Sequence, residues 1–255
     1  MIERLKKVIL LQFSKMKDKF VLITGTTNGI GKDLEKIYLS KNFKVISLNR
    51  IDSNINKTKN VYNYNIDITK EDEIILLFKK LHENNLDPDI FIFNAGINKI
   101  DFDQDFDIDN FNEVIETNFF SVMFFCNHIK KLKYSNKKLI FISSFSTIFP
   151  NKNSLGYYFS KLLINRYFHE VQKNDFNNNY KLFSFGPINT KIKRFIKNEN
   201  KLNKLAFSFL SISSFKAATV IFNHSISNRK IINYPYRVYL FYKLCRLIKT
   251  FTGNE

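Results

Sequence analysis

The amino-acid sequence predicts an α/β protein with a parallel β-sheet of about seven strands and helices on both faces. Short apolar segments alternate with segments of helical periodicity along most of the chain. The apolar segments are nearly continuous, which is typical of parallel strands buried on both faces. Three of only seven glycines lie within residues 25–31, between the first predicted strand and the first predicted helix.

The first half of the chain supplies four strands and three helices. The strands are rich in Val, Ile and Phe, and Pro88 introduces the fourth. The helices carry apolar residues at three- and four-residue spacing, and Asp107 has the residue type of a helix N-cap. The strands are predicted over 19–24, 43–49, 61–67 and 89–94, and the helices over 29–41, about 70–84 and 107 to about 131.

The second half continues the alternation without a linker, a repeat or a break in composition. Strands are predicted over 137–144, 180–185 and 229–233, with a helix from Ser154 to about Lys173. A further helix, "SFKAATVIFNHS", is capped by Ser213 or Ser214. We therefore expect one domain over 16–235 with right-handed crossovers. The acidic stretch 101–110 is interpreted as a solvated loop and helix start.

Composition excludes several classes of function. The formal net charge is +17, but lysines are spread along the whole chain and Arg is scarce, which indicates a composition bias and no nucleic-acid site. Cys126 and Cys245 make no disulfide framework, and no Cys/His cluster has metal-ligand spacing. These features predict a metal-free protein of the reducing cytoplasm.

Both ends of the chain are basic and amphipathic. No apolar run reaches the roughly 18 residues of a membrane span, and residues 1–15 lack the features of a signal peptide. The first segment is compatible with a membrane-surface helix, a helix packed on its own domain, or an untranslated stretch before Met16. The aromatic, basic tail 236–255 is predicted to be helical, and it fits peripheral membrane contact, packing across the domain, or a subunit interface.

The glycines of residues 25–31 have two possible explanations. A tight turn between a strand and a helix lets the pyrophosphate of a dinucleotide rest on the helix N-terminus. The spacing Gly25-x-x-x-Gly29-x-Gly31 differs from the common G-x-G-x-x-G, and such a turn can also serve helix–strand packing alone.

Further motifs favour the dinucleotide, because five pieces resemble the short-chain dehydrogenase/reductase family in that family's order. They are "TGTTNGIG" (24–31), "FNAG" (93–96), "ETNFFS" (116–121), "ISSFSTIFPNKNSLGYYFSK" (142–161) and "FGPINT" (185–190), with Phe185 where the family has Pro. The resemblance covers roughly 16–235 and favours the short, single-domain branch. It implies a Rossmann-type doubly wound sheet and an oxidoreductase that uses a nicotinamide dinucleotide.

The resemblance also implies four catalytic residues. Tyr157 and Lys161 are neighbours on one helix face, and an adjacent ammonium favours the phenolate and so lowers the pKa of a Tyr. Ser144, thirteen residues before Tyr157 as in the family, would hold the substrate oxygen. Asn118 would hold a water that relays protons to Lys161. Taken singly, each of these residues also fits an ordinary structural role.

Residues after the second strand bear on the choice of cofactor. Asn49 stands where an acidic residue would grip the ribose of NAD, and Arg50 can fork onto a 2′-phosphate, so NADP(H) is expected over NAD(H). Asp52 nearby keeps NAD open. By the resemblance, the dinucleotide would contact Gly25, Thr27, Asn28, Gly29, Ile30, Gly31, Arg50, Asp67, Ile68, Asn94, Ala95, Gly96, Tyr157, Lys161, Ile188 and Thr190.

The resemblance therefore implies an NADP(H)-dependent carbonyl reductase or alcohol dehydrogenase. Its substrate is expected to be a small carbonyl or alcohol compound, and both a lipid-like and a non-lipid compound remain open. The Phe-rich helix around residues 119–125 and the Tyr157 helix would form the face of a homodimer or homotetramer. Three alternatives remain open: a dinucleotide-binding regulatory protein without hydride transfer, an epimerase or dehydratase, and a membrane-surface protein.

Overall fold

The computed structural model describes residues 19–50, 59–101, 105–148, 153–189 and 211–252, with side chains of the last segment described to Leu244. Two predictions lie outside these residues, the amphipathic segment 1–15 and the cofactor contact of Thr190. The continuous sheet runs from Phe20 to Tyr234.

Seven strands form one parallel sheet, as the near-continuous apolar segments predict. They are β1 (Phe20–Thr24), β2 (Lys44–Asn49), β3 (Val61–Asn65), β4 (Ile90–Phe93), β5 (Lys138–Ser144), β6 (Asn179–Phe185) and β9 (Ile231–Tyr234). Their order across the sheet is β3-β2-β1-β4-β5-β6-β9, and all six pairings are parallel. A separate pair, β7 (Ile188–Asn189) and β8 (Ile212–Ser213), was not predicted.

The strand order reverses beside β1, because the chain moves outward through β2 and β3 and then crosses back to β4. The loops that leave β1 and β4 therefore diverge toward opposite faces and open a crevice at the carboxyl edge of the sheet. In doubly wound folds this crevice is where ligands bind.

Helices cover both faces. They are α1 (Gly29–Ser40), α2 (Glu71–Glu83), α3 (Ile108–Ile115), α4 (Ser121–Lys131), α5 (Leu155–Asn174), α6 (Ser214–Ser225) and α7 (Tyr236–Thr252). Alternate strand residues point to opposite faces, so Leu22 of β1 joins one buried cluster while Val21 and Ile23 join the other. The first cluster is completed by α2, α4 and α5, and the second by α1 and α6.

Local helix signals in the sequence are confirmed at two positions. The side chain of Asp107 accepts a hydrogen bond from the N–H of Asn110 at 2.9 Å and caps α3. Ser213 caps α6 by accepting from the N–H of Lys216 at 3.1 Å. Each cap satisfies a backbone donor that has no partner within its helix.

The structure adds one feature to residues 101–131 and corrects one prediction. Residues 108–131 are helical throughout, as predicted, but the helix contains a π-helical turn, Glu116–Phe120, between α3 and α4. A helical pattern of apolar residues does not reveal one inserted residue. Asp101 is completely buried, although the acidic stretch was interpreted as solvated. The reason is that its carboxylate accepts hydrogen bonds from the backbone at the start of α5.

Two further features bear on the kind of site that the fold holds. Within the described ranges, no helix has the length and apolar character needed to cross a membrane. The same residues contain no cluster of three His, Cys, Asp or Glu side chains that could hold a metal ion. Cys126 is a buried free thiol, and burial raises its pKa.

Candidate active site

The loop from β1 to α1 has the backbone of an anion-binding turn. Gly25 and Gly29 have φ of +72° and +57°, a region that side chains with a Cβ rarely adopt. Asn28 is extended, and its side chain caps no N–H of α1 within the described structure. The first turn of α1 contains no acidic residue. The backbone N–H groups at the start of α1 and the positive end of the helix dipole lie at the crevice.

The same loop is packed tightly against β4. A Cβ on Gly31 would lie 1.9 Å from the carbonyl oxygen of Gly25, and one on Gly25 would lie 3.0 Å from Cα of Ala95. The Asn94 amide donates to the carbonyl oxygens of Gly25 (2.9 Å) and Thr24 (3.0 Å), and the Ala95 N–H donates to Thr24 Oγ1 at 2.9 Å. Helix–strand packing alone accounts for Gly31. It does not account for the exposed turn at Thr27 and Asn28.

These features fit a dinucleotide. The loop offers backbone N–H donors without a competing carboxylate, and its exposed turn leaves room for a pyrophosphate. Ile30 and Gly96 are half-buried beside it, and a Cβ on Gly96 would lie 3.1 Å from Asn118 Oδ1. Because Gly96 has no side chain, a flat ring can approach the Lys161 side chain here. The Lys161 Nζ lies 3.8 Å from the position that a Cβ on Gly96 would occupy.

The end of β2 is arranged differently from the sequence expectation. Asn49 is buried, and its Oδ1 accepts from the N–H of Thr26 at 2.8 Å, so its side chain is turned into the protein. Arg50, the next residue, is exposed at the edge of the crevice. Of these two residues, Arg50 alone has a side chain free to reach a cofactor.

Asp67 lies close to Arg50 after β3. Burial raises the pKa of its carboxyl, but hydrogen bonds from the N–H (3.0 Å) and Oγ1 (2.8 Å) of Thr69, together with the Arg50 charge, outweigh burial and lower it. Asp67 is therefore an anion near Arg50 at neutral pH. Its neighbour Ile68 is half-buried against the first core cluster. Ile188, at the start of β7, packs against the second.

Ser144, Tyr157 and Lys161 come together where β5 ends and α5 begins. The Lys161 Nζ lies 5.5 Å from the centre of the Tyr157 ring and donates to the carbonyl oxygen of Ile142 at 3.0 Å. Ser144 is the last residue of β5, and its hydroxyl makes a side-chain hydrogen bond with Tyr157. Two adjoining elements thus direct three polar side chains to one point.

Burial governs the protonation of this group. It lowers the pKa of Lys161 to about 8, because the ammonium is almost fully removed from water. It raises the pKa of Tyr157, and the Ser144 hydrogen bond offsets only part of that effect. Desolvation of the phenolate is the largest effect on the Tyr157 pKa, and the sequence does not reveal it. Tyr157 is a phenol at neutral pH.

Asn118 lies in the π-helical turn, nearly fully buried. Its Oδ1 accepts from the N–H of Ile97 at 2.8 Å, and its Nδ2 donates to the Ile97 carbonyl at 2.9 Å and to Ser160 Oγ at 3.1 Å. Asn118 thus joins the segment after β4 to the residue before Lys161. Ser160 was not predicted as a site residue, and the only signal for it in the sequence is its position next to Lys161.

Most of the predicted site residues therefore meet at the carboxyl edge of the sheet, with Arg50 and Asp67 on the β2–β3 side and the Tyr157 group on the β5 side. The arrangement can hold an extended ligand across the switch point. At one end it can deliver a proton from a phenol supported by a buried amine.

Known proteins similar in sequence to this chain identify its family. The short chain dehydrogenase family matches residues 19–200. The chain is 28% identical over 156 residues to the uncharacterized oxidoreductase YvrD of Bacillus subtilis, a match that covers 58% of this chain and 59% of that protein.

Solved structures share the fold. A closed form of serine dehydrogenase complexed with NADP⁺ superimposes with a TM-score of 0.74 at 15% identity, covering 84% of this chain and 93% of that one. A 4-hydroxyisoleucine dehydrogenase complexed with NADH gives 0.70 at 23% identity, covering 85% and 97%. At these identities the likeness concerns the fold alone. The family match extends over most of the described sheet and its site, and the chain belongs to the short-chain dehydrogenase family.

Proposed function

We propose that this protein is an NADP(H)-dependent oxidoreductase that interconverts a carbonyl compound and the corresponding alcohol. The observation that carries the proposal is the convergence of Ser144, Tyr157 and Lys161 beside the open backbone of Gly96. The bound dinucleotide supplies the hydride, so the chain itself must bind, orient and manage one proton.

Each residue of the group has a distinct role in this proposal. The Ser144 hydroxyl orients the substrate oxygen and stabilises charge that develops on it. The Tyr157 hydroxyl donates the proton in reduction, and its raised pKa keeps that proton in place at neutral pH. The Lys161 ammonium stabilises the phenolate that remains, and Asn118 supports the path by which Tyr157 regains a proton.

The preference for NADP(H) rests on Arg50. Its guanidinium is exposed at the end of β2, and Asn49 offers no carboxylate to repel a 2′-phosphate. Asp67 lies near Arg50 and would face the adenine end of the ligand. Thr27, Asn28, Gly29 and Ile30 would surround the pyrophosphate, while Ile188 and Thr190 would hold the carboxamide.

Fluorescence titration with NADPH and with NADH tests the cofactor assignment. The proteins compared are the wild type, Arg50→Ala and the matched surface variant Arg229→Ala. We expect Arg50→Ala to weaken NADPH binding about tenfold and to leave NADH unchanged, because one charge-assisted contact is lost. Arg229→Ala should change neither. Absence of binding of either nucleotide at millimolar concentration would overturn the assignment.

A panel of ketones and aldehydes with NADPH then tests hydride transfer, with Tyr157→Phe as the inactive control that retains nucleotide binding. Turnover that Tyr157→Phe abolishes is the expected result. Tight NADPH binding without turnover on any carbonyl would favour a dinucleotide-binding regulatory protein instead.

We also propose a homodimer formed through α4 and α5. Phe120, Phe159 and Leu163 are large apolar side chains that remain exposed on this face, with Phe159 43% exposed. Adjacent exposed aromatic and aliphatic residues are typical of subunit interfaces.

A further proposed partner is an anionic membrane surface at α7. The outer side of this helix exposes Tyr236, Leu240, Phe241 and Leu244, and Arg237 and Lys243 are exposed among them. The helix has four basic residues and no acidic one, so a second copy packed against it would meet like charge, whereas anionic headgroups would meet opposite charge. Its inner side packs Tyr239 on Phe145, the residue after Ser144, which favours an apolar substrate.

A further inference from the structure

The helix that carries Tyr157 and Lys161 begins without a cap of its own. Among the described residues, the side chain of Ser154, the N-cap residue of α5, makes no capping hydrogen bond. Asp101 supplies the cap from the distant loop after β4. One of its carboxylate oxygens accepts from the N–H of Leu155 at 2.7 Å, and the other accepts from the N–H of Gly156. Both donors belong to the first turn of α5, which bears Tyr157.

The backbone of Asp101 extends this connection to α3. Its carbonyl oxygen accepts from the N–H of Asp107, the N-cap residue of α3, at 2.8 Å, and its N–H donates to Asn153 at 3.2 Å. Helix α3 leads directly into the π-helical turn with Asn118. One buried residue therefore ties together the starts of the two helices that carry the proposed proton path.

The junction leaves little space for movement. A Cβ on Gly156 would lie 2.9 Å from Asp101 Oδ2 and 3.2 Å from both Cα and the carbonyl oxygen of Phe111 in α3. Glycine is thus required where α5 crosses α3. The buried carboxylate also lies at the positive end of the α5 dipole, where negative charge is stabilising.

We infer that Asp101 is a positioning residue for catalysis, an inference that rests on the proposed function. It holds the first turn of α5 so that the Tyr157 hydroxyl meets Ser144 and the substrate oxygen. It acts through the backbone of Leu155 and Gly156 and does not itself transfer a proton.

The test compares Asp101→Ala with Asp107→Ala. Each change removes an aspartate cap from a helix start, but α3 bears no proposed catalytic side chain in its first turn. We expect Asp101→Ala to lower kcat at least tenfold, because a displacement of about 1 Å at the reacting group can cost as much as a hundredfold. KM and the Kd for NADPH should stay close to wild type. Asp107→Ala, at an exposed cap, should keep kcat within twofold and lose less Tm than Asp101→Ala.

Amide hydrogen exchange provides a readout that does not depend on turnover. The amides of residues 155–161 should exchange faster in Asp101→Ala than in the wild type. In Asp107→Ala they should exchange at the wild-type rate. Asp101→Asn retains one acceptor and should fall between wild type and Asp101→Ala in both measurements, and it replaces the Ala variant should that variant fail to fold.

A folded Asp101 variant with wild-type kcat, or an equal loss of kcat in Asp107→Ala, would overturn the inference. Loss of NADPH binding in step with kcat would do so too, since it would mean that the change reaches beyond the first turn of α5. A wild type that turns over no carbonyl compound would instead overturn the proposed function, and the exchange comparison would still report whether Asp101 holds the start of α5.

Discussion

The side-chain oxygen of Asn49 accepts a hydrogen bond from the backbone N–H of Thr26 at 2.8 Å, and the Asn49 amide nitrogen lies 3.0 Å from Thr26 Oγ1. The last residue of β2 thereby braces the glycine loop that follows β1. Because both partners are buried, the loop depends on this contact for its shape.

Replacement of Asn49 by Ala should therefore weaken NADPH and NADH binding equally, by about tenfold. The change leaves the buried Thr26 N–H without an acceptor, at a cost of about 1–3 kcal/mol, and the loop relaxes away from the shape that faces the pyrophosphate. Fluorescence titration of both nucleotides measures the effect. A variant that loses only NADPH affinity would show that Asn49 belongs to the 2′-phosphate contact instead.

Lys161→Met should stabilise the folded protein at pH 7 while it abolishes turnover. Burial lowers the pKa of Lys161 from 10.5 to about 8, a preference for the neutral amine worth about 3 kcal/mol. Below pH 8 the amine is protonated in both states, so the folded protein bears this whole cost. Loss of the hydrogen bond to the Ile142 carbonyl costs the variant about 1 kcal/mol. The expected net increase in its free energy of unfolding is therefore about 2 kcal/mol.

The pH dependence of the free energy of unfolding follows from the difference in the Lys161 pKa between the folded and the unfolded protein. Between pH 8 and 10.5 the unfolded chain binds more protons than the folded one at this position, so wild-type stability rises with pH. The advantage of Lys161→Met should therefore shrink as pH is raised toward 10.5. Urea unfolding at pH 7 and 9.5 measures it, with exposed Lys36→Met as the control. An advantage that does not change with pH would contradict this reasoning.

Most of the sheet could be predicted from sequence because its central parallel strands are apolar over nearly their whole length. The five residues of β1 are all buried, and their near-continuous apolar character requires a cover on both faces. Ser144 and Tyr157 were identified differently, through the thirteen-residue spacing by which the chain resembles the short-chain dehydrogenase family.

Contacts between distant segments could not be predicted in this way. Asp101 is 54 residues from its partner Leu155, and no local pattern distinguishes it from the exposed acidic residues that follow it. The direction of the Tyr157 pKa likewise depends on how much water packing removes from the site. Both are properties of tertiary structure, which periodicity does not encode.

The proposed dimer face can be tested by making it polar. The double variant Phe159→Ser and Leu163→Ser removes two exposed apolar side chains from α5 without emptying the core. We expect a dimer in the wild type and a monomer in the variant by light scattering after size-exclusion chromatography. Phe176→Ser, at a residue that is 90% exposed beyond the end of α5, should remain dimeric. A monomeric wild type would exclude this interface.

The contact of α7 with membranes predicts a dependence on both apolar side chains and lipid charge. The triple variant Leu240→Ser, Phe241→Ser and Leu244→Ser changes only exposed residues, so nucleotide binding should persist. In flotation with vesicles that contain 30% phosphatidylserine, we expect wild-type binding and an at least tenfold lower partition coefficient for the variant, because apolar burial in the interface is lost. Pure phosphatidylcholine vesicles should bind the wild type weakly.

The high net charge makes a control necessary, because any strongly basic protein is attracted to anionic vesicles. Ile226→Ser removes an exposed apolar residue near the end of α6 and leaves every charge in place. Equal binding of the wild type, Ile226→Ser and the α7 variant would mean that charge alone holds the protein on the vesicle. A change of oligomeric state in the α7 variant would instead assign this helix face to a second copy of the chain. A dimer binds a vesicle through two sites, so its dissociation alone lowers the apparent affinity for the vesicle.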